Sequence, residues 1–219
     1  DAVSKPKSSN VSNQRLTTKL KDTGVDYIEL RSLDVNPFQR IGIDLDTVHF
    51  LEMFFIYCTS NSSPPINSDE IEESRENDLL VATKGREPGL SLSNNRTKIS
   101  LQNWANQILD EMLSIAELLD YKTNTFTGII AKARATIMDS DQTLSGMLLN
   151  KALSEKISFH ELGITIGEDY KNHYIRMDTT KNSDWSLLEK ESVDSIKRQV
   201  ELEQTSEQSY EDYVKEYFN

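Results

Sequence analysis

Two side chains in the stretch from Asp26 to Asp44 stand out for the chemistry they could do together: the carboxylate of Glu29 and the guanidinium of Arg31. They sit inside Tyr27-Ile28-Glu29-Leu30-Arg31-Ser32-Leu33, where Tyr27, Glu29, Arg31 and Leu33 alternate with Ile28, Leu30 and Ser32. Alternation of this period in a short run of β-formers predicts a strand. On a strand, residues two apart leave the same face. Glu29 and Arg31 would then project together, while Ile28 and Leu30 anchor the opposite face in a core. A carboxylate is the hard oxygen donor that Mg²⁺ prefers, and a planar guanidinium can grip a pair of phosphoryl oxygens. The pair therefore suits a phosphate and its counter-ion. The ordinary alternative is a solvated ion pair on an outward face, the commoner fate of neighbouring Glu and Arg and individually weak.

The elements that would position this strand can be read along the chain. Residues 1–13 are polar and contain Lys5-Pro6-Lys7, which predicts a loop-like lead-in. Arg15 to Asp22 forms a short helix stopped by Gly24. Asn36-Pro37 ends the strand in a turn. Asp44 is placed to N-cap a strongly apolar helix from Leu45 to about Thr59. Val48, Leu51, Phe55 and Cys58 lie along one face, with Phe50, Phe54 and Tyr57 extending the apolar surface around it, a core helix expected to be wrapped on most sides. Asn67 and Glu70 have the spacing of a capping box and open a charged helix to about Ala82. Lys84 to Leu92 reads as a basic, glycine-containing turn followed by a short extended piece. Beyond it the pattern is helical. Leu101, Trp104, Ile108, Met112, Ile115 and Leu119 form one stripe, and Phe126, Ile129, Ala133 and Ile137 form the next. Thr143 and the pair Ser158/Glu161 cap two further helices. Asp184 to Glu207 is long and lightly amphipathic. Tyr210, Tyr213, Val214 and Tyr217 give a last helix an aromatic face suited to docking the tail.

Composition excludes several classes of function. The 219 residues carry 36 acidic and 24 basic side chains, a formal charge of −12, which argues against a general nucleic-acid or acidic-membrane binder. The longest apolar run, Met53 to Cys58, is far too short to span a bilayer. The polar first residues, with Pro6, do not read as a secretory leader. Cys58 is the single cysteine, so a disulfide framework or thiolate cluster is excluded, and in its apolar helix it reads as a buried small hydrophobe in a reducing cytoplasm. His49, without a His or carboxylate at i+4, reads as a rim residue. The acids from Asp69 to Glu76 read as a solvated helix face complementing the dipole. Lys84 and Arg86 could touch phosphate, but a surface turn is the commoner reading. P-loop, G-x-G-x-x-G, H-E-x-x-H and G-x-S-x-G motifs are all absent.

The string Tyr27-Ile28-Glu29-Leu30-Arg31-Ser32-Leu33-Asp34, followed by Asn36-Pro37-Phe38 and Ile41-Gly42-Ile43-Asp44, resembles the signature Y-I-E-[VL]-R-S-L-D-x-N-P-F-x-x-x-G-[IV]-D of the proteobacterial glutamate–cysteine ligases. Lys84-Gly85-Arg86-Glu87-Pro88-Gly89-Leu90 resembles a second segment of that family, and the likeness runs from about Lys5 onward. The resemblance implies an α+β, predominantly helical fold, with one or two strands belonging to a glutamine-synthetase-like curved antiparallel sheet surrounded by helices. It implies residues 1–44 as lead-in loop, short helix and active-site strand, and residues 45–219 as a helical region packing on the sheet. It implies an ATP-dependent ligase that joins the γ-carboxyl of L-glutamate, through γ-glutamyl phosphate, to L-cysteine in the first step of glutathione synthesis in the cytoplasm.

On this resemblance Glu29 matches a ligand of Mg²⁺ (or of Mn²⁺ in its place), and Arg31 matches the arginine that contacts the transferred γ-phosphoryl group of ATP. Ser32, Asp34 and Asn36 are assigned to turns and support. The remaining metal-binding acids, a histidine and most cysteine-binding residues belong to the family's N-terminal portion, so this chain is expected to be a C-terminal portion, inactive by itself. Its first residue, Asp1 instead of Met, fits a portion of a longer chain. The family also carries a tyrosine and Arg-Pro-Lys near the lead-in, where this chain has Lys5-Pro6-Lys7 and no tyrosine before it. The competing reading is a non-catalytic helical interaction module. The two differ in geometry: a ligase places Glu29 and Arg31 in a concave face shared with other strands, with Ile28 and Leu30 under helices.

Overall fold

In the computed structural model, residues 4–8, 15–177, 184–205 and 209–218 are described. The chain is α+β and mostly helical. Its elements in order are β1 (Ser4–Lys7), α1 (Leu16–Thr23), β2 (Tyr27–Leu30), α2 (Leu45–Ser60), α3 (Ser68–Lys84), β3 (Ser91–Asn94), β4 (Thr97–Ser100), α4 (Leu101–Leu119), α5 (Thr125–Met138), a 3₁₀ turn (Ser140–Gln142), α6 (Leu144–Glu155), α7 (Phe159–Ile175), α8 (Trp185–Thr205) and α9 (Tyr210–Phe218). They divide into two compact units, one of residues 35–172 and one of residues 1–34 with 173–219. Among the described residues no helix is long and apolar enough to cross a membrane.

The unit of residues 35–172 has the core. Met53 of α2, Leu109, Met112 and Ala116 of α4, and Ile129 and Ile130 of α5 are buried together, flanked by Phe50, Phe54, Tyr57 and Phe126. Burying each such side chain contributes roughly 1.5–3 kcal/mol before chain entropy is counted. The α5 stripe and the α4 stripe from Ile108 onward join this core or line its edge, whereas Leu101 and Trp104 are half-buried outside it. The apolar surface of α2, expected to be wrapped on most sides, is covered on one side only. Phe50, Met53, Phe54 and Tyr57 turn inward, whereas Val48 and Phe55 stay in the exposed class and Cys58 is exposed. A helix apolar on nearly all sides offers no moment to orient it, so its partners α4 and α5 choose the buried side.

Helix ends follow the caps. The Asp44 carboxylate accepts from the Thr47 amide at 2.7 Å, Asn67 and Glu70 complete their capping box, and Thr143 accepts from the Gly146 amide at 3.1 Å. Gly146 has no alternative: a Cβ there would lie 2.6 Å from the Ser140 carbonyl oxygen. Between α4 and α5 the Asp120 carboxylate accepts from the amides of Phe126 (2.8 Å) and Thr127 (2.7 Å) and from the Thr127 hydroxyl (2.7 Å). The extended piece expected after the basic turn is half of a hairpin. β3 pairs antiparallel with β4 from Ser91↔Ser100 to Asn94↔Thr97, around Asn95 and Arg96 at positive φ. That turn geometry is the one that matches strand twist.

In the other unit β1 and β2 form a two-stranded antiparallel ribbon, paired from Ser4↔Leu30 to Lys7↔Tyr27. The lead-in is therefore not all loop: Ser4–Lys7 is a strand. Pro6 is compatible with it because β1 has β2 on one side as its only hydrogen-bonded neighbour among the described residues. α1 ends at Gly24, and its Thr23 hydroxyl meets Ser8 at 2.9 Å. In α9, Tyr213 and Tyr217 stack with centroids 6.0 Å apart, and the Arg15 guanidinium lies 4.6 Å over the Phe218 ring. The aromatic end of the tail thus docks on the residue that precedes α1.

Candidate active-site strand

β2 begins where the alternation begins, at Tyr27, but stops at Leu30, so Arg31 leaves the ribbon just past its last paired residue. Glu29 and Arg31 are nonetheless brought together. The Arg31 Nε–H donates to Oε1 of Glu29, and the Lys7 ammonium stands 2.9 Å from Oε2. Lys5 is the residue opposite Glu29 in the register, yet the diagonal Lys7 makes the contact. Diagonal neighbours on an antiparallel pair are within reach of long side chains. The hydrogen bond from Arg31, seconded by Lys7, holds the Glu29 carboxyl at about 2, down from 4.5. Glu29 is therefore ionised throughout the neutral range.

The surroundings depart from the expected core. The three charged side chains keep between 26% and 39% of their surface exposed, and Ile28 is 52% exposed. Among the described residues the ribbon has two strands and no wider concave sheet is formed. A single carboxylate already engaged by two cations is one corner of a metal site at most. Consistent with that, no group of three His, Cys, Asp or Glu that could hold a metal occurs among the described residues. Glu29 has the right chemistry to contribute one oxygen to Mg²⁺ alongside nucleotide phosphates and carboxylates from elsewhere.

The rest of the signature builds a closed loop. The Asn36 amide donates to the Gly42 carbonyl at 2.8 Å, its Oδ1 accepts from the Phe38 amide at 3.0 Å, and its Nδ2 donates to Oδ2 of Asp44 at 3.2 Å. Gly42 turns the loop at φ +78°, a conformation that favours glycine. Asp44 also accepts from the Thr47 hydroxyl, which with its other partners holds the carboxyl below its usual range. From α7 the Tyr170 hydroxyl donates to the Pro37 carbonyl at 2.7 Å. The Asn36, Gly42 and Asp44 positions are thus explained by backbone closure and capping, as assigned for Asn36.

The other candidates resolve into structural roles. Arg86 donates to the Ser140 carbonyl (3.3 Å) and to Asp141 (2.8 Å), fastening the basic turn to the 3₁₀ turn. Glu73 accepts from the amides of Asn95 (2.9 Å) and Arg96 (2.8 Å), and Asp69 pairs with Arg96, so these acids clasp the hairpin. His49 lies 3.2 Å from Glu52 and packs its ring edge-on to Phe126 at 4.9 Å. Sequence reasoning missed Lys7. The Lys5/Lys7 alternation was the available signal, masked by Pro6.

Residues 2–81 match the family model described as glutamate-cysteine ligase. The chain matches the glutamate–cysteine ligases. A glutamate–cysteine ligase of Shewanella oneidensis is 35% identical over 94% of this chain, that of Alcanivorax borkumensis 31% over 98%, and that of Pseudomonas aeruginosa 31% over 97%. The chain spans only 40–41% of the length of these ligases. Its fold is that of part of a crystal structure of the glutamate–cysteine ligase of Francisella tularensis in complex with AMP, at a TM-score of 0.88 and 23% identity, covering 100% of this chain and 43% of that one. The ribbon with its charged cluster, the Asn36–Asp44 loop, α2 and most of α3 all fall within the stretch matched by the ligase family model.

Proposed function

We propose that this chain is the C-terminal portion of an ATP-dependent ligase that joins L-glutamate to L-cysteine, the first step of glutathione synthesis, in the cytoplasm. The observation that carries the reading is the Lys7–Glu29–Arg31 cluster, set in a segment similar to the ligases throughout. In the whole enzyme residues 1–44 supply the strand with its charged pair, and residues 45–219 the helical layer beside the sheet. Arg31 binds and orients the γ-phosphoryl group of ATP, its fork matching two oxygens of the transferred group. Glu29 supplies one oxygen to Mg²⁺, or Mn²⁺, which when bound neutralises charge on the phosphates. The glutamate γ-carboxylate takes the phosphoryl group, and the cysteine amine displaces phosphate from the γ-glutamyl phosphate. Phosphoryl transfer depends mainly on positioning and charge neutralisation, which is what a fixed carboxylate–guanidinium pair provides.

One observation favours the alternative of a helical module without chemistry: both oxygens of Glu29 are already taken, on a ribbon open to solvent. Reconstitution decides between them. The chain with the remaining ligase portion should form ADP in the presence of glutamate, cysteine and Mg²⁺, whereas the chain alone should not. ADP formation that is independent of this chain, or unaffected by combined Glu29→Gln and Arg31→Ala substitution, would remove the ligase reading.

A further inference from the structure

We propose that Lys7 is a positioning residue for the nucleotide–metal site, acting through Glu29. The inference rests on the ligase reading above. Glu29 has two oxygens and the structure divides them: Arg31 takes Oε1 and Lys7 takes Oε2 at 2.9 Å. The two cations differ in kind. Arg31 is two residues away on the same strand and presents a planar fork. Lys7 comes from the neighbouring strand on a flexible stem and acts as a point charge. Of the three side chains Lys7 is the least exposed, at 26%.

This arrangement has a consequence for binding. With both partners in place the carboxylate is fixed in direction although no residue of its unit is buried among the described ones. A divalent cation arriving at one oxygen repels the cation already beside it, and one of the two partners can let go. The lysine is suited to do so, since its single contact can be given up without moving the strand. Lys7 thereby keeps Glu29 in direction before the nucleotide arrives. Side chains that orient metal ligands in this way are typically worth about 10–100-fold in metal affinity or activity.

The test measures binding without turnover, in the full-length ligase. Calorimetric titration with Mg²⁺ and a non-hydrolysable ATP analogue should show Lys7→Met weakening binding by about tenfold or more. Lys7→Arg should stay within about threefold of the parent, and the double variant Lys7→Met/Glu29→Gln should bind no more weakly than Glu29→Gln alone. The melting temperature of this chain without ligand should not change, because its ribbon is open to solvent; Lys7→Gln serves if the Met variant misfolds. Parent-like binding by Lys7→Met beside a weakened Glu29→Gln overturns the role of Lys7 and leaves the ligase reading intact. Additive losses in the double variant also overturn it, since Lys7 would then act independently of Glu29. Parent-like binding by Lys7→Met, Glu29→Gln and Arg31→Ala together overturns the ligase reading itself, and this inference with it.

Discussion

The unit of residues 35–172 and the unit of residues 1–34 with 173–219 are built from the same kinds of element, yet they are held together differently. In the first, three helices enclose a set of fully buried side chains such as Met53 and Met112, and caps or clasps at Asp44, Asn67, Asp120 and Thr143 fix several helix ends. In the second no described residue is buried, and the ribbon that carries Glu29 is joined by backbone hydrogen bonds, one carboxylate and two cations. The charged pair thus sits on the part of the chain with the least interior of its own. On the proposed ligase reading the strand must be held rigid, and the support has to come from outside these residues, since this chain spans about 40% of the length of the ligases it matches. The unit with the core is tested by stability; the proposed role of the charged cluster is tested by function.

That contrast can be broken experimentally. Met112→Ala, in the unit with the core, should cost about 2–5 kcal/mol, read from a denaturant midpoint with unchanged slope. In the complete ligase Arg31→Ala should lower kcat on the order of 10²–10³-fold, with a smaller change in the KM for glutamate. An unchanged kcat would move Arg31 to the structural side of the comparison. Asp44→Ala should cost about 1 kcal/mol through loss of the α2 cap. The Asp44 carboxyl is lowered from 3.8 in the folded chain, so its contribution is present above that value and is lost as the pH falls below it. An acid titration of the Ala variant should accordingly show a shallower loss of stability below pH 4 than the parent. Ile28→Ala should change stability by no more than ~0.5 kcal/mol in this chain, because the side chain is half exposed. A larger cost in the complete enzyme would show that Ile28 becomes buried there.

What could be read from the sequence follows the same divide. Caps and turns were legible because their chemistry is local: Asp44, Asn67/Glu70, Thr143 and Ser158/Glu161 each satisfy amides within three residues. The inward faces of α4 and α5 were legible because polar residues interrupt them. For α2 the apolar surface is legible but its covered side is not: apolar residues surround it, so spacing cannot say which part the other helices cover. β1 and β4 were missed for want of length, and a proline and a lysine-containing hairpin end gave no alternation to count. For the site, sequence spacing placed Glu29 beside Arg31 but could not supply Lys7, whose approach depends on strand register over a separation of more than twenty residues.

The bond between the Tyr170 hydroxyl and the Pro37 carbonyl, 2.7 Å across 133 positions, has a topological meaning. It brings the two ends of the 35–172 unit close together. Ends that close together tolerate excision or circular permutation. Residues 35–172 expressed alone, or re-joined head to tail, should therefore fold with their helices intact, as circular dichroism would read.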